Sequence, residues 1–274
     1  MARLRSWEFL VLICGLSILL LSPRLALSQV AQQAAPEAMA PPQAITPLVP
    51  DKTESASDLE AEGDDLRAQK RFLDALDFYN AALAKKPSAL LWNKQGMAYL
   101  LLQRPDKASK SFDHAIKFNK QAPEGYNNRG YVEQMKKKYD KAIKYYMKAA
   151  SLKPTDAVFP YNIGAAYFAD HQYAKAAQAY REAFALDPNI FIRVSRTGIM
   201  AQSTSPEDRA AFSFMVAKMY AKAGDVDRSI EYLRKAMENG YKQINEVYTD
   251  QEFATMRTDR RFEDLMAQKP QAIQ

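Results

Sequence analysis

WNKQGMAYLLLQRPDKASKSFDHA, residues 92–115, reads as two helices folded back on each other. Trp92, Gly96 and Tyr99 stand four and three residues apart, as do Ala108, Phe112 and Ala115. Those intervals bring each trio to one face of a helix. The small residues let two helix axes approach closely, and the large aromatic fills the space beside them.

The same pattern recurs on both sides of this stretch. Gly63, Gly96, Gly130 and Gly164 are separated by 33, 34 and 34 residues. Ala75, Ala108, Ala142 and Ala176 step with them, as do Tyr79, Phe112, Tyr146 and Tyr180, and Ala82, Ala115, Ala149 and Ala183. Short polar turns such as Lys137-Lys138-Tyr139-Asp140 separate the two trios of a unit. Pro87, Pro154 and Pro188 close three units, with Lys120 in the fourth proline's place. A proline cannot continue a helix, so each one ends its unit. Four columns in phase mark a repeat of helix pairs.

This pattern resembles the tetratricopeptide repeat over residues 56–188, with the four units themselves set at 58–188. Glu133 departs from it, standing where the third unit would carry an aromatic, and Pro160 opens the fourth pair. The resemblance implies an all-α, right-handed α-solenoid with a C-terminal helical cap. An irregular bridge is expected over 189–209, then a fifth, degenerate repeat and capping helices over 210–268. Ser205-Pro206-Glu207-Asp208 is a helix start, with an N-cap, an N1 proline and an acidic first turn. Ala217, Tyr220, Leu233 and Ala236 fall on the repeat columns, with Ser229 in place of an alanine. Gly240 ends that unit. Asp250-x-x-Phe253-x-x-Met256 and Asp259-x-x-Phe262-x-x-Leu265 read as short capped helices covering the apolar end of the stack.

The N-terminus reads as an address. Arg3 and Arg5 precede an apolar run, Phe9 to Leu21, and Ala26-Leu27-Ser28 offers a small-residue exit. Residues 1–28 thus have the parts of a cleavable secretory signal. The run is shorter than the roughly 20 residues a membrane span needs. Membrane contact follows only if this segment stays uncleaved. Residues 29–57, rich in Ala, Pro and Gln, read as a disordered linker. Export to the periplasm or beyond is the expected location.

Chemistry is sparse. The single cysteine, Cys14, lies inside the apolar run, so the repeats hold no disulfide and no thiol nucleophile. His114 and His171 have no ligand partners at metal spacing. Gly125-x4-Gly130 has phosphate-loop glycine spacing, but Tyr131-Val132 follows where Lys-Ser/Thr is needed. The expectation is a non-enzyme with no cofactor and no metal. Formal charge falls from +6 to +4 without residues 1–28, which carry Arg3, Arg5 and Arg24 against Glu8. That balance does not mark a nucleic-acid binder.

A protein or peptide partner is implied instead. In the family resembled, the first helix of each pair lines the concave side. Those positions here are Ser57, Glu60, Asp64 and Arg67, then Leu90, Asn93, Met97 and Leu100. The third unit supplies Glu124, Asn127, Tyr131 and Gln134, and the fourth Val158, Tyr161, Ala165 and Phe168. Asn128 and Asn162 precede their glycines by two, where family members use Asn to hold a peptide backbone. The candidate binding set is therefore Asn93, Asn127, Asn128, Tyr131, Tyr161, Asn162 and Phe168. The alternative is that these side chains satisfy neighbouring helices. Glu60 and Asp64 stand where a chaperone-tail clamp would need Lys and Asn, so a terminal carboxylate is disfavoured. Lys136-Lys137-Lys138 with Lys141, Lys144 and Lys148 forms a basic patch. It is either a solvated face or a platform for an acidic segment, lipid or polysaccharide. Two function classes stand: a scaffold holding a partner segment, or a structural, self-associating subunit of an envelope, secretion or polysaccharide-handling complex.

Overall fold

The computed structural model describes residues 48–193 and 205–268. The segment read as a signal and most of the linker lie outside them. Five antiparallel helix pairs follow in order: α1 (Ala56–Ala68) with α2 (Phe72–Lys85), α3 (Ala89–Leu101) with α4 (Pro105–Phe118), α5 (Pro123–Met135) with α6 (Tyr139–Leu152), α7 (Val158–Ala169) with α8 (Tyr173–Leu186), and α9 (Pro206–Lys222) with α10 (Val226–Glu238). Two 3₁₀ turns, Ile244–Tyr248 and Gln251–Met256, and α11 (Arg260–Gln268) complete the described chain. No strand occurs among the described residues. The bridge expected to run to 209 ends at Ser205, whose hydroxyl accepts from the Asp208 amide and starts α9. Residues 194–204 of it lie outside the described part.

The columns form the core. Leu59, Ala75, Tyr79, Ala82, Phe112, Tyr146, Ala149 and Ala183 are buried. Each glycine of the column faces the aromatic of its own unit. A Cβ on Gly63 would sit 2.7 Å from the Tyr79 ring, and one on Gly164 would sit 2.8 Å from Tyr180. The two helices of a pair therefore meet with ring against backbone. Burying each such ring contributes about 2–3 kcal/mol of hydrophobic stabilisation.

The turns inside the pairs share one design. Lys70, Gln103, Lys137 and His171 all have left-handed backbones, with φ between 56° and 63°. Gly224 takes the matching place in the fifth pair at φ 79°. At each turn the following amide reaches back to a carbonyl five residues earlier, as in Arg71 to Leu66 and Asp225 to Tyr220. This is the Schellman arrangement, which satisfies carbonyls left over at a helix end. Four of the five turns use a residue with a Cβ where glycine would be unstrained. Gln103→Gly should therefore stabilise the protein by about 0.5–1 kcal/mol, after glycine's own entropic cost. A urea melt checks this; an unchanged or lowered midpoint would show that the turn stores no strain.

The cap follows the aspartate pattern. Asp250 accepts from the Glu252 amide at 3.0 Å, and Asp259 accepts from the Arg261 amide at 2.9 Å. Val247, Phe253, Met256, Phe262, Leu265 and Met266 then bury themselves with the apolar residues of α9 and α10.

Candidate functional site

The first helices of the pairs carry the candidate site. Asn93 is nearly buried, while Asn127, Asn128 and Asn162 are wholly so. Their amides are joined in a line. Asn128 Nδ2 donates to Asn93 Oδ1 at 2.9 Å, Asn127 Nδ2 to Asn128 Oδ1 at 3.2 Å, and Asn162 Nδ2 to Asn127 Oδ1 at 2.8 Å. The line crosses α3, α5 and α7. These four amides belong to the candidate binding set, Asn128 and Asn162 as holders of a partner's backbone; in this structure they tie neighbouring units together. An amide with both donor and acceptor suits a chain of this kind, and leaving one unmade in the interior is costly.

The rung begins one unit earlier in ionic form. Lys94 Nζ donates to Glu60 Oε1 and to Asp64 Oδ2, both at 2.5 Å. Tyr79 Oη donates to Asp64 Oδ1 at 2.8 Å and accepts from Arg67 Nε at 3.2 Å. Burial alone would lower the Lys94 pKa. The hydrogen bonds and charges of Asp64 and Glu60 outweigh it and hold the ammonium above its usual value. Glu60 and Asp64 thus meet counter-charges within the fold. Glu60–Lys94, Asn93–Asn128 and Asn127–Asn162 occupy equivalent places, three and two residues before successive column glycines.

The aromatic anchors divide. Tyr161 is buried against Tyr180 and Phe191, with ring centroids 5.4 and 6.0 Å away. Burial pushes its hydroxyl pKa up to about 12. Phe168 is 1% exposed, edge-on to Tyr173 at 5.1 Å and to Phe212 at 6.3 Å. Both belong to the core in this structure. Truncating Tyr161, Asn128 or Asn162 is therefore expected to cost stability as well as any binding. Tyr131 alone of the seven candidates is more than marginally accessible.

On the first helices of the pairs, a stripe on α3 and α5 stays open. Leu90 is 58% exposed, Leu101 48% and Met135 47%, with half-buried Met97 and Tyr131 between them. Leu90, Met97 and Leu101 share one helix face, at spacings of seven and four. Tyr131 and Met135 occupy the same columns one unit on as Met97 and Leu101. A second opening, of about 890 Å³, lies between α8 and α9. Ala174, Ala177, Phe184, Ala211 and Met215 contribute its apolar lining, with Arg181, Glu207 and Lys222 beside them. Sequence reasoning missed it; the long bridge between α8 and α9 was its one signal.

The histidines are accounted for. His114 stacks on Trp92 at 4.5 Å, and His171 Nδ1 lies 2.9 Å from Tyr173 Oη. No cluster of three or more metal-ligating side chains occurs among the described residues. No helix among them is long and apolar enough to cross a membrane.

The chain is similar in part to several known proteins. Over 86 residues the chain is 30% identical to Hsc70-interacting protein 1 of Drosophila melanogaster, covering 31% of this chain and 23% of that protein. It therefore spans less than a quarter of that relative's length. Among solved structures, MamA (residues 41 to end) of Desulfovibrio magneticus RS-1 aligns with a TM-score of 0.48 at 20% identity, over 72% of this chain and 99% of that one. YrrB, described as a TPR protein with an unusual peptide-binding site, aligns at 0.46 and 16%, over 71% and 91%. Family models for the tetratricopeptide repeat match residues 60–123, 123–156, 161–190 and 210–239. With these four matches lying on five helix pairs, the chain belongs to the tetratricopeptide repeat family.

Proposed function

We propose that this protein is a non-catalytic, extracytoplasmic scaffold that holds an extended or helical segment of a partner protein on the open stripe of α3 and α5. The repeat fold itself suggests protein–protein scaffolding, and a relative named for interacting with Hsc70 supports a protein partner. The observation that carries the reading is the row Leu90, Leu101 and Met135, about half exposed on the side of the stack where first helices lie. Apolar side chains left on a shared face are what a partner's side chains would cover. Export rests on the charged start, apolar run and small-residue exit of residues 1–28.

One preparation tests both parts. Protein recovered from the native envelope should begin at Gln29, read by mass spectrometry. Its captured partner is then titrated against Leu101→Asp and Tyr131→Ala, with Lys137→Glu as the control. The stripe variants should weaken binding about thirtyfold, the value of one buried anchor at about 2 kcal/mol. An intact Met1 start would overturn export. Loss of binding in Lys137→Glu, with the stripe variants unaffected, would overturn the site.

A further inference from the structure

The basic patch has a floor that the lysine run does not reveal. Tyr126, Arg129 and Glu133 of α5 and Lys141, Lys144, Tyr145 and Lys148 of α6 line an open pocket of about 490 Å³. Its origin lies in the repeat's own departure. In the second and fourth units the Glu133 column holds Tyr99 and Tyr167. Lys107 and Lys175 lie over those rings at 5.7 and 5.4 Å. Lys141 occupies the same column as these lysines, but the ring beneath it is missing. A smaller, charged side chain in the tyrosine's place leaves room where the other units are filled.

Glu133 is 4% exposed. One carboxylate oxygen pairs with Arg129 Nη1, while Oε2 is buried with no hydrogen-bond partner. Arg129 also donates to Asp113 at 2.9 Å and lies over the Tyr145 ring at 5.1 Å. Burial would raise the Glu133 pKa. The Arg129 hydrogen bond and charge more than offset it, so the carboxylate stays ionised and Oε2 can only accept. Interior acceptors of this kind are normally paired. Lys141, Lys144 and Lys148 at the rim are exposed and have no carboxylate within 4 Å among the described residues.

A ligand that completes this site must bring three things together. It needs an anionic group for the lysines, a neutral hydroxyl donor for Glu133 Oε2 and a C–H face to lie on the half-buried tyrosine rings. A sugar ring bearing a carboxylate has all three within a few ångströms. We propose that the pocket between α5 and α6 binds a uronic acid residue of an acidic polysaccharide. The site is separate from the stripe proposed for the protein partner, so either can fail alone.

The test is calorimetric titration of the full chain with a galacturonic acid hexamer at fixed ionic strength. Polyglutamate of equal charge is the comparison. Glu133→Tyr restores the residue type found at Tyr99 and Tyr167, so the variant should fold and melt at least as high as the parent. It should bind the hexamer at least tenfold more weakly, as should Lys144→Glu. The proposal is overturned if the parent does not bind the hexamer or if Glu133→Tyr binds it equally well. It is also overturned if polyglutamate binds as tightly as the hexamer, because charge alone would then explain the patch.

Discussion

Gly130→Leu is expected to destabilise the protein by about 3 kcal/mol, the upper part of the range for forcing methylenes into a filled interior. A Cβ at this position would sit 2.8 Å from two carbons of the Tyr146 ring and 3.1 Å from the Ala142 carbonyl oxygen. The ring is wholly buried and the carbonyl belongs to α6, so neither can give way without moving a helix. The informative contrast is Gly224→Ala. Nothing lies within 4 Å of a Cβ there, but its φ of 79° makes an alanine strained. That change should cost about 1 kcal/mol through the backbone alone. Thermal melts by circular dichroism separate the two. Should Gly130→Leu melt with the parent, the close approach of α5 to the Tyr146 ring is wrong.

Asn127→Ala should cost about 2–4 kcal/mol, because it breaks two interior hydrogen bonds at once. Asn127 donates to Asn128 and accepts from Asn162. Truncation leaves the Asn128 oxygen without that donor and removes one acceptor from Asn162. Each unmade interior bond of this kind typically costs about 1–3 kcal/mol. Replacing both members of a rung should cost much less than the sum of the single changes. In Asn93→Leu/Asn128→Leu the partners across that rung go together, and the Asn127 amide's lost acceptor is already part of the single Asn128 change. A double-mutant cycle on denaturant melts measures this coupling. Strict additivity, or a parent-like melt for Asn127→Ala, would mean that the amides do not hold the units in register.

The sequence carried the repeat plainly because its columns are governed by volume. Glycine beside aromatic beside alanine, at helical spacing, has few packings open to it, and Gly130 with Tyr146 shows the one adopted. The asparagines were harder. Spacing places Asn127 and Asn128 on α5, but it does not say that Asn93 and Asn162 already meet their amides. A side chain one residue off the packed column can point to a neighbour or to solvent, and only the tilt between units decides. Tyr161 and Phe168 were misplaced for a related reason. Their covers, Phe191 and Phe212, come from a bridge and a helix that lie off the regular repeat, where periodicity has no reach. Glu133 was legible as a departure from the pattern. That it leaves a hollow beside Tyr145 depends on a volume missing from one column, which appears only once α6 is packed against α5.

The cover over the fourth unit has a consequence for length. With Tyr161 and Phe168 buried against Phe191 and Phe212, the site proposed on the first helices reads as a socket with its stop at α7. From α1 to α5 there are two helix-to-helix steps of roughly 8–10 Å each. An extended chain advances about 3.3 Å per residue, so the socket accommodates roughly five or six residues before it meets the stop. On the proposed reading, such a device takes a short segment of its partner. It would not let a long strand slide through, so it favours capture at one place along the partner over travel along it.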